Sequence, residues 1–305
     1  MRYVVTGAAG FIGSQLADAL VEAGHDVLGI DCFTNSYDPA EKEENARGLD
    51  VRRLDLADEA LDLDGVDGVF HLAGQPGVRS FGDIFALYLR RNVLATQHVF
   101  DAAAAAGVRV VFASSSSIYG DAEAYPTPED AEPSPISPYG ITKLGCEHLA
   151  RAYASGFGLD AVVLRYFTVY GPRQRPDMFF RRVCDALLGG GSFDVYGSGE
   201  QSRSFTEVGD AVEATVVAIQ RAPAGAVYNV GGGDEASVLE SIALLERVSG
   251  RTLEVRHAGE AKGDVRRTKA DVSRIRDALG WEARTQLAGG LARMWSWAFD
   301  RVAAG

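Results

Sequence analysis

Arg2-Tyr3-Val-Val-Thr6-Gly7-Ala-Ala-Gly10-Phe11-Ile12-Gly13-Ser-Gln-Leu16 is the stretch that decides how this chain is read. The run Tyr3 to Thr6 has the length and apolar character of a buried strand, and a helix-period pattern takes over at about 11–23. Three glycines stand at the junction. Gly7 permits a tight turn, Gly10 lets a pyrophosphate approach backbone N–H groups, and Gly13 lets the helix pack close to the sheet. Between a strand and a helix this spacing is a dinucleotide-binding pattern, with Phe11 and Ile12 in the first helical turn beside the ligand.

The same alternation continues outward. Short apolar runs recur at Asp26 to Ile30, Val51 to Leu54, Gly68 to His71, Val108 to Ser114 and Ala161 to Tyr166, separated by helix-period segments at about 82–106 and 139–156. That rhythm predicts a doubly wound (Rossmann) α/β fold with a parallel sheet. Beyond about 171 it becomes irregular: helices near 177–188 and 209–221, a strand Phe193 to Tyr196, and another buried strand, Ala226 to Val230. The expected organisation is a dinucleotide-binding domain over 1–170, with a return to the sheet at about 205–230. A smaller C-terminal substrate-binding lobe would take 171–204 and 231–305.

Composition narrows the function. With 42 acidic against 30 basic residues, the net charge is −12 and no basic stripe suits a nucleic acid. No apolar run reaches the ~18 residues needed to span a membrane, and the N-terminus enters a strand without a signal-peptide pattern. Cys32, Cys146 and Cys184 are odd in number and widely spaced, as expected of reduced cytoplasmic thiols rather than a disulfide framework or a metal site.

Asp31 ends the second run, where a carboxylate can accept hydrogen bonds from a ribose diol and repel a 2′-phosphate. NAD is therefore the expected cofactor. Asp55-Leu56 follows the third run, and Asp55 either meets the adenine edge or caps the next turn. After the fourth run, Leu72 and Ala73 offer small neighbours to the cofactor, whereas His71 reads as a hydrogen-bonded structural residue. Asn92 is a candidate network residue near the nicotinamide ribose. Tyr139 and Lys143 share a helix face at i, i+4, where an ammonium beside a phenol favours phenolate as a base for a sugar hydroxyl. The cluster Ser114 to Ser117 leaves the fifth run on the side of the sheet where ligands bind.

Taken together, Gly7-x-x-Gly-x-x-Gly13, Asp31, the Ser cluster, Tyr139-x-x-x-Lys143 and Arg165-Tyr-Phe-Thr-Val-Tyr-Gly171 resemble the extended short-chain dehydrogenase/reductase family acting on nucleotide sugars. The resemblance runs nearly end to end. It implies an NAD-dependent enzyme in which Tyr139 is the base, Lys143 holds the nicotinamide ribose, and Ser115 shares the proton with the sugar. Family members that dehydrate hexoses carry an Asp-Glu pair before the equivalent of Ile118-Tyr119-Gly120, and UDP-glucuronate decarboxylases carry Glu at the equivalent of Ser117. This chain has Ser116 and Ser117 there, which favours epimerisation.

The finer resemblance, in Asp31 to Pro39, Gln75-Pro-Gly-Val-Arg79 and Phe167 to Met178, is to UDP-glucuronate 4-epimerases. It implies that Thr168 and Arg175 hold the C6 carboxylate, with Arg173 a rival for it, and that Arg79 lies near the sugar. Tyr166 and Phe167 flank the nicotinamide or pack the core. Val195 and Tyr196 correspond to the strand lining the uracil, Arg203 to a diphosphate-binding arginine, and Asp264 to the acid on the UDP ribose. The implied partners are a UDP-sugar and a second copy of the chain, docked through the helices near 82–106 and 139–156. A 4-epimerase of UDP-glucose or UDP-N-acetylglucosamine and a UDP-glucuronate decarboxylase are the alternatives; a non-catalytic NAD-binding sensor is disfavoured by the intact Tyr139 and Lys143.

Overall fold

Strands apolar on both faces need cover on both sides, and the chain supplies it by alternating strands with helices. The computed structural model describes residues 1–77, 82–259 and 267–303. Its first part runs β1 (Arg2–Thr6), α1 (Phe11–Glu22), β2 (Asp26–Asp31), α2 (Pro39–Asn45), β3 (Asp50–Arg53) and β4 (Gly68–His71). Then come α3 (Phe85–Tyr88), a π-helical segment Leu89–Leu94, α4 (Ala95–Ala106), β5 (Arg109–Ser115), α5 (Pro138–Phe157) and β6 (Ala161–Tyr166). The remainder contains β7 (Thr168–Tyr170), α6 (Phe179–Gly189), β8 (Ser192–Tyr196), β9 (Ser202–Glu207), α7 (Val208–Arg221) and β10 (Val227–Val230). It finishes with β11 (Glu235–Ser237), α8 (Val238–Ser249), β12 (Glu254–Ala258), β13 (Arg267–Thr268), α9 (Ser273–Leu279) and α10 (Leu287–Ala303).

Seven strands form the central sheet in the order β10-β6-β5-β4-β1-β2-β3, every pair parallel. This is the doubly wound architecture that the sequence predicts, and its order reverses between β1 and β4, where a crevice opens at the carboxyl ends of the strands. One face of the sheet is covered by α1 and α7, through Leu16, Leu20, Val212 and Ala218. The other is covered by α4 and α5, through Val99, Phe100, Cys146 and Ala150. A separate core, built from Phe180, Phe205, Leu245, Leu291 and Met294, holds α6, α8 and α10 together.

Two features depart from the sequence expectations. The single helix expected over 82–106 is broken by the π segment, whose wide turn buries Asn92. The short strands β7, β11 and β13, joined through β9, lie in the second half; with only two or three residues each, they leave no alternation to read.

Ser137 and Pro138 start α5: the Ser137 hydroxyl accepts from the Gly140 N–H at 3.1 Å, and Pro138 occupies the first turn, where no N–H is needed. One helical turn past Lys143, Glu147 meets Arg165 of β6 in an ion pair whose side chains are 1% and 2% exposed. Arg165 Nη2 donates to Glu147 Oε2 at 2.7 Å, and Ser114 Oγ of β5 donates to Oε1 at 2.5 Å. A further Arg165 N–H bonds the Tyr119 hydroxyl at 2.7 Å. These bonds fix α5 in rotation and height against β5 and β6.

His71, at the end of β4, is fully buried, with Thr6 Oγ1 2.7 Å from Nδ1 and Thr96 Oγ1 2.9 Å from Nε2. Burial, helped by the Lys143 charge, pushes its pKa from 6.5 down to about 3. Between those values the unfolded chain binds a proton that the folded one refuses, so stability falls as pH drops through the window, by about 1.4 kcal/mol per unit from this group. Denaturant titrations between pH 7 and 4 should therefore show a shallower acid-side loss for His71→Gln than for the parent; equal slopes would contradict the assignment.

Candidate active site

A cavity of about 310 Å³ lies at the carboxyl edge of the sheet, lined by the glycine turn, the end of β2, the loops after β3 and β4, the start of α5 and the second half of the 171–178 loop. Gly7 takes φ 73°, and a Cβ on Gly13 would stand 2.1 Å from the Gly7 carbonyl oxygen. The turn therefore closes tightly against α1, whose N-cap is Gly10 with no side-chain cap. Its first-turn N–H groups are left for an anion at a positive helix end. Asp31 Oδ2 accepts from the Ala9 N–H at 3.1 Å and Oδ1 from the Phe33 N–H at 2.8 Å, so its carboxylate is aimed across the turn with lone pairs to spare for a ribose diol. This cradle, closed to a Cβ and ending in an oriented carboxylate, fits the pyrophosphate and ribose of NAD.

Sequence reading missed one wall of the cavity. Residues 32–45 form a strap over it, presenting Cys32, Thr34, Ser36, Tyr37 and Lys42. Lys42 is 5% exposed, donates to Thr34 Oγ1 at 2.7 Å and lies 4.7 Å over the Tyr37 ring; burial lowers its pKa, against the field of Asp31. The start of α2 was readable in Asp38-Pro39, a capping residue followed by a first-turn proline. Nothing in the sequence turned Lys42 inward. The Asn45 amide, donating to the Ala9 carbonyl at 3.2 Å, ties the far end of α2 to the glycine turn.

Tyr139, Lys143 and Ser115 meet at the other end of the cavity, with Leu72, Ala73 and Tyr166. Lys143, 4% exposed, donates from Nζ to the Ala113 carbonyl at 2.8 Å and lies 5.9 Å from the centre of the Tyr139 ring. A Cβ on Gly74 would stand 3.5 Å from that Nζ and 3.1 Å from Asn92 Oδ1, so a bare backbone passes there. Asn92 does not line the cavity. Its Oδ1 accepts from the Gln75 N–H at 2.6 Å and its Nδ2 donates to Thr142 Oγ1 at 3.0 Å, joining the loop after β4 to α5.

Other candidates sort themselves by geometry. Asp55 and Leu56 line the cavity, yet the Asp55 carboxylate accepts from the Ala57 N–H at 3.0 Å and pairs with Arg90 at 2.9 Å, the turn-capping alternative. The Tyr166 ring faces the cavity while its buried hydroxyl bonds Thr215 at 2.6 Å, beneath α7. Ser115 Oγ donates to Ser117 Oγ at 3.1 Å, and Ser116 belongs to a neighbouring cavity with Tyr119, Tyr125 and Arg267. Thr168 begins β7 and pairs with Phe205. The Val195 side chain is 1% exposed within the C-terminal core, so that expected uracil contact is left with backbone alone. Tyr196 stands exposed at the end of β8, and Arg203 lies on β9, donating to the Ser202 carbonyl at 2.7 Å. Arg79 and Asp264 lie outside the described residues.

The loop after β7 is held on α1. Gln15 Nε2 donates to the Pro172 carbonyl at 2.9 Å, and Arg173, at φ 61°, pairs with Asp18 at 2.6 Å. Arg173 is thereby committed to α1, and Arg175, two residues on, lines the cavity instead. Oriented donors for phosphates, a phenol and ammonium beside the Ser115 hydroxyl, and a guanidinium in one continuous cavity suit proton and hydride exchange on a phosphorylated, oxygen-rich substrate.

Among the described residues, no helix is long and apolar enough to cross a membrane. Residues 3–231 match the model of the NAD dependent epimerase/dehydratase family. The chain is 40% identical to YtcB of Bacillus subtilis, called an uncharacterized UDP-glucose epimerase, over 95% of this chain and 96% of that one. It is 33% identical to the UDP-glucuronate 4-epimerase of Thermodesulfobacterium geofontis, over 98% and 97% of the two chains. The crystal structure of UDP-glucuronic acid 4-epimerase from Bacillus cereus, in complex with UDP-glucuronic acid and NAD, superposes with a TM-score of 0.95 at 37% identity, covering 99% of this chain and all of that one (100%). The chain therefore belongs to the NAD dependent epimerase/dehydratase family, an NAD-dependent enzyme built like the UDP-sugar 4-epimerases.

Proposed function

We propose that this protein is an isomerase that inverts C4 of UDP-glucuronate to give UDP-galacturonate, with Tyr139 as its base. One observation carries the choice of sugar: Arg175 enters the cavity that holds Tyr139, Lys143 and the glycine turn, whereas Arg173 is paired with Asp18. A guanidinium there suits a C6 carboxylate. Oxidising C4 of a uronate makes a β-keto acid, which loses CO₂ when its carboxylate bond aligns with the carbonyl π system. A bidentate arginine holds the carboxylate out of that alignment, with Thr168 as its companion in the same stretch of chain.

Bound NAD supplies the hydride acceptor and donor that inversion at C4 needs, and is regenerated in each turnover. Tyr139 takes the C4 hydroxyl proton, directly or through Ser115, and returns it after the 4-keto sugar has turned about its pyrophosphate linkage. Lys143, kept in place by the Ala113 carbonyl, holds the nicotinamide ribose and the positive charge beside the phenol. Ser116 and Ser117 put no carboxylate where elimination or decarboxylation would use one. Arg203, Tyr196 and Asp264 serve the nucleotide, whose firm binding leaves the keto-sugar free to turn.

The same chemistry on UDP-glucose is the second reading, and the name of the Bacillus subtilis relative favours it. A cytoplasmic setting suits the three cysteines, all free. The chain also pairs as a homodimer in this reading, because Phe85, Leu89 and Leu94 before α4 and Ile141 and Phe157 on α5 expose apolar surface on adjacent helices.

Purified protein incubated separately with UDP-glucuronate and UDP-glucose, with products resolved by chromatography, should yield UDP-galacturonate from the first. Nucleotide-linked xylose and CO₂ would refute epimerisation. Tyr139→Phe should lower kcat by about 10²–10⁴-fold, and unchanged turnover would remove Tyr139 as the base. Arg175→Ala should raise KM for UDP-glucuronate by roughly 10–100-fold, from the loss of a charge-assisted pair; intact glucuronate turnover would sink the uronate assignment. Sedimentation equilibrium should give twice the chain mass of 32.5 kDa, reduced to the monomer by Leu89→Glu, and a monomeric parent would exclude the dimer.

A further inference from the structure

Besides Lys143, three cations line the dinucleotide cavity, and they are held differently. Lys42 donates to the Thr34 hydroxyl and Arg91 to the Gln75 amide oxygen at 2.8 Å, both neutral acceptors. Arg175 is gripped by a carboxylate: Nε donates to Asp177 Oδ1 at 2.9 Å and Nη2 to Oδ2 at 3.0 Å. Those two parallel bonds fill the planar fork through which a guanidinium recognises a carboxylate ligand. The Met178 N–H bonds the Arg175 carbonyl at 3.0 Å, closing a turn that stands Asp177 beside Arg175, and the turn runs straight into α6. Asp177 is 62% exposed, against 22% for Arg175, so water can solvate the aspartate once it lets go.

We propose that Asp177 is a specificity-setting counter-ion for Arg175, an internal carboxylate that occupies the guanidinium until a substrate carboxylate displaces it. The inference rests on the uronate reading above and adds a residue to it. A uronate offers the same two oxygens in the same geometry and exchanges for Asp177 one for one. A neutral hydroxymethyl group at C6 offers no charge with which to make the exchange, and meets an arginine already neutralised. In this arrangement Asp177 opposes uronate binding modestly and keeps an unpaired guanidinium from competing for the phosphates that enter the same cavity.

Asp177→Asn keeps the shape of the turn and removes the competing charge. The test measures dissociation constants of UDP-glucuronate and UDP-glucose by titration calorimetry on NAD-loaded protein carrying Tyr139→Phe, so that neither ligand turns over. Adding Asp177→Asn should tighten UDP-glucuronate relative to UDP-glucose by about two- to fivefold, the size appropriate to a partly exposed ion pair. Because the readout is a ratio within one preparation, partial misfolding cannot imitate it. An unchanged ratio overturns the proposal, and a fall in the ratio would instead make Asp177 a residue that positions Arg175 for the sugar. Arg175→Ala, measured alongside, separates the two failures. If it leaves the ratio untouched, the uronate reading and this inference fall together; if it collapses the ratio while Asp177→Asn does not move it, the inference alone falls.

Discussion

The site depends first on a buried ion pair that touches no ligand. Glu147 and Arg165 join α5 to β6 inside the protein, and Ser114 of β5 completes the link. Because Glu147 stands at i+4 from Lys143, and Lys143 at i+4 from Tyr139, the three share one helix face. Fixing Glu147 therefore fixes the direction in which the phenol and the ammonium point. Such a pair is a weak source of net stability, since desolvating both charges offsets most of their attraction, but leaving one partner alone costs about 3–5 kcal/mol. Its structural consequence is a single admissible setting of α5 against the sheet.

Around that fixed helix the cavity is assembled from parts distant in sequence. Asn92 joins the loop after β4 to Thr142 on α5, and its own inward direction comes from the π segment, a local widening often found at functional positions. On the opposite side, α1 is the anchor. Its start forms the phosphate cradle, while Gln15 and Asp18 on its flank hold the 171–178 loop that delivers Arg175. The strap bearing Lys42 is secured from outside by Arg181 of α6, whose guanidinium bonds Glu41 of α2 at 2.9 and 3.1 Å. The glycine turn, the strap and the 171–178 loop are thus mutually braced.

Much of this was legible in the chain before folding. Inner strands of a parallel sheet are buried on both faces and read as largely apolar runs, as at Gly68 to His71 and Ala161 to Tyr166, which β4 and β6 match to the residue. The glycine turn and the Tyr139–Lys143 pair were visible because their geometry is set by neighbours a few positions away. What stayed hidden depends on partners far along the chain. Spacing alone left Arg173 and Arg175 as rivals; Arg175 lines the cavity, while Arg173 is drawn to Asp18, 155 residues away. The inward turn of Lys42, the commitment of Asp55 to Arg90 and the burial of Val195 are likewise decided by packing rather than by local pattern.

In the proposed reaction a hydride leaves C4 of the sugar and returns to the same carbon while Tyr139 carries only the proton. UDP-glucuronate labelled with deuterium at C4 tests it most directly, with the product collected in ordinary water and analysed by mass spectrometry. Full retention of the label at C4 of the galacto product is expected, because a hydride held on bound NAD does not exchange with solvent. Loss of deuterium to water, or product bearing solvent hydrogen at C4, would contradict it.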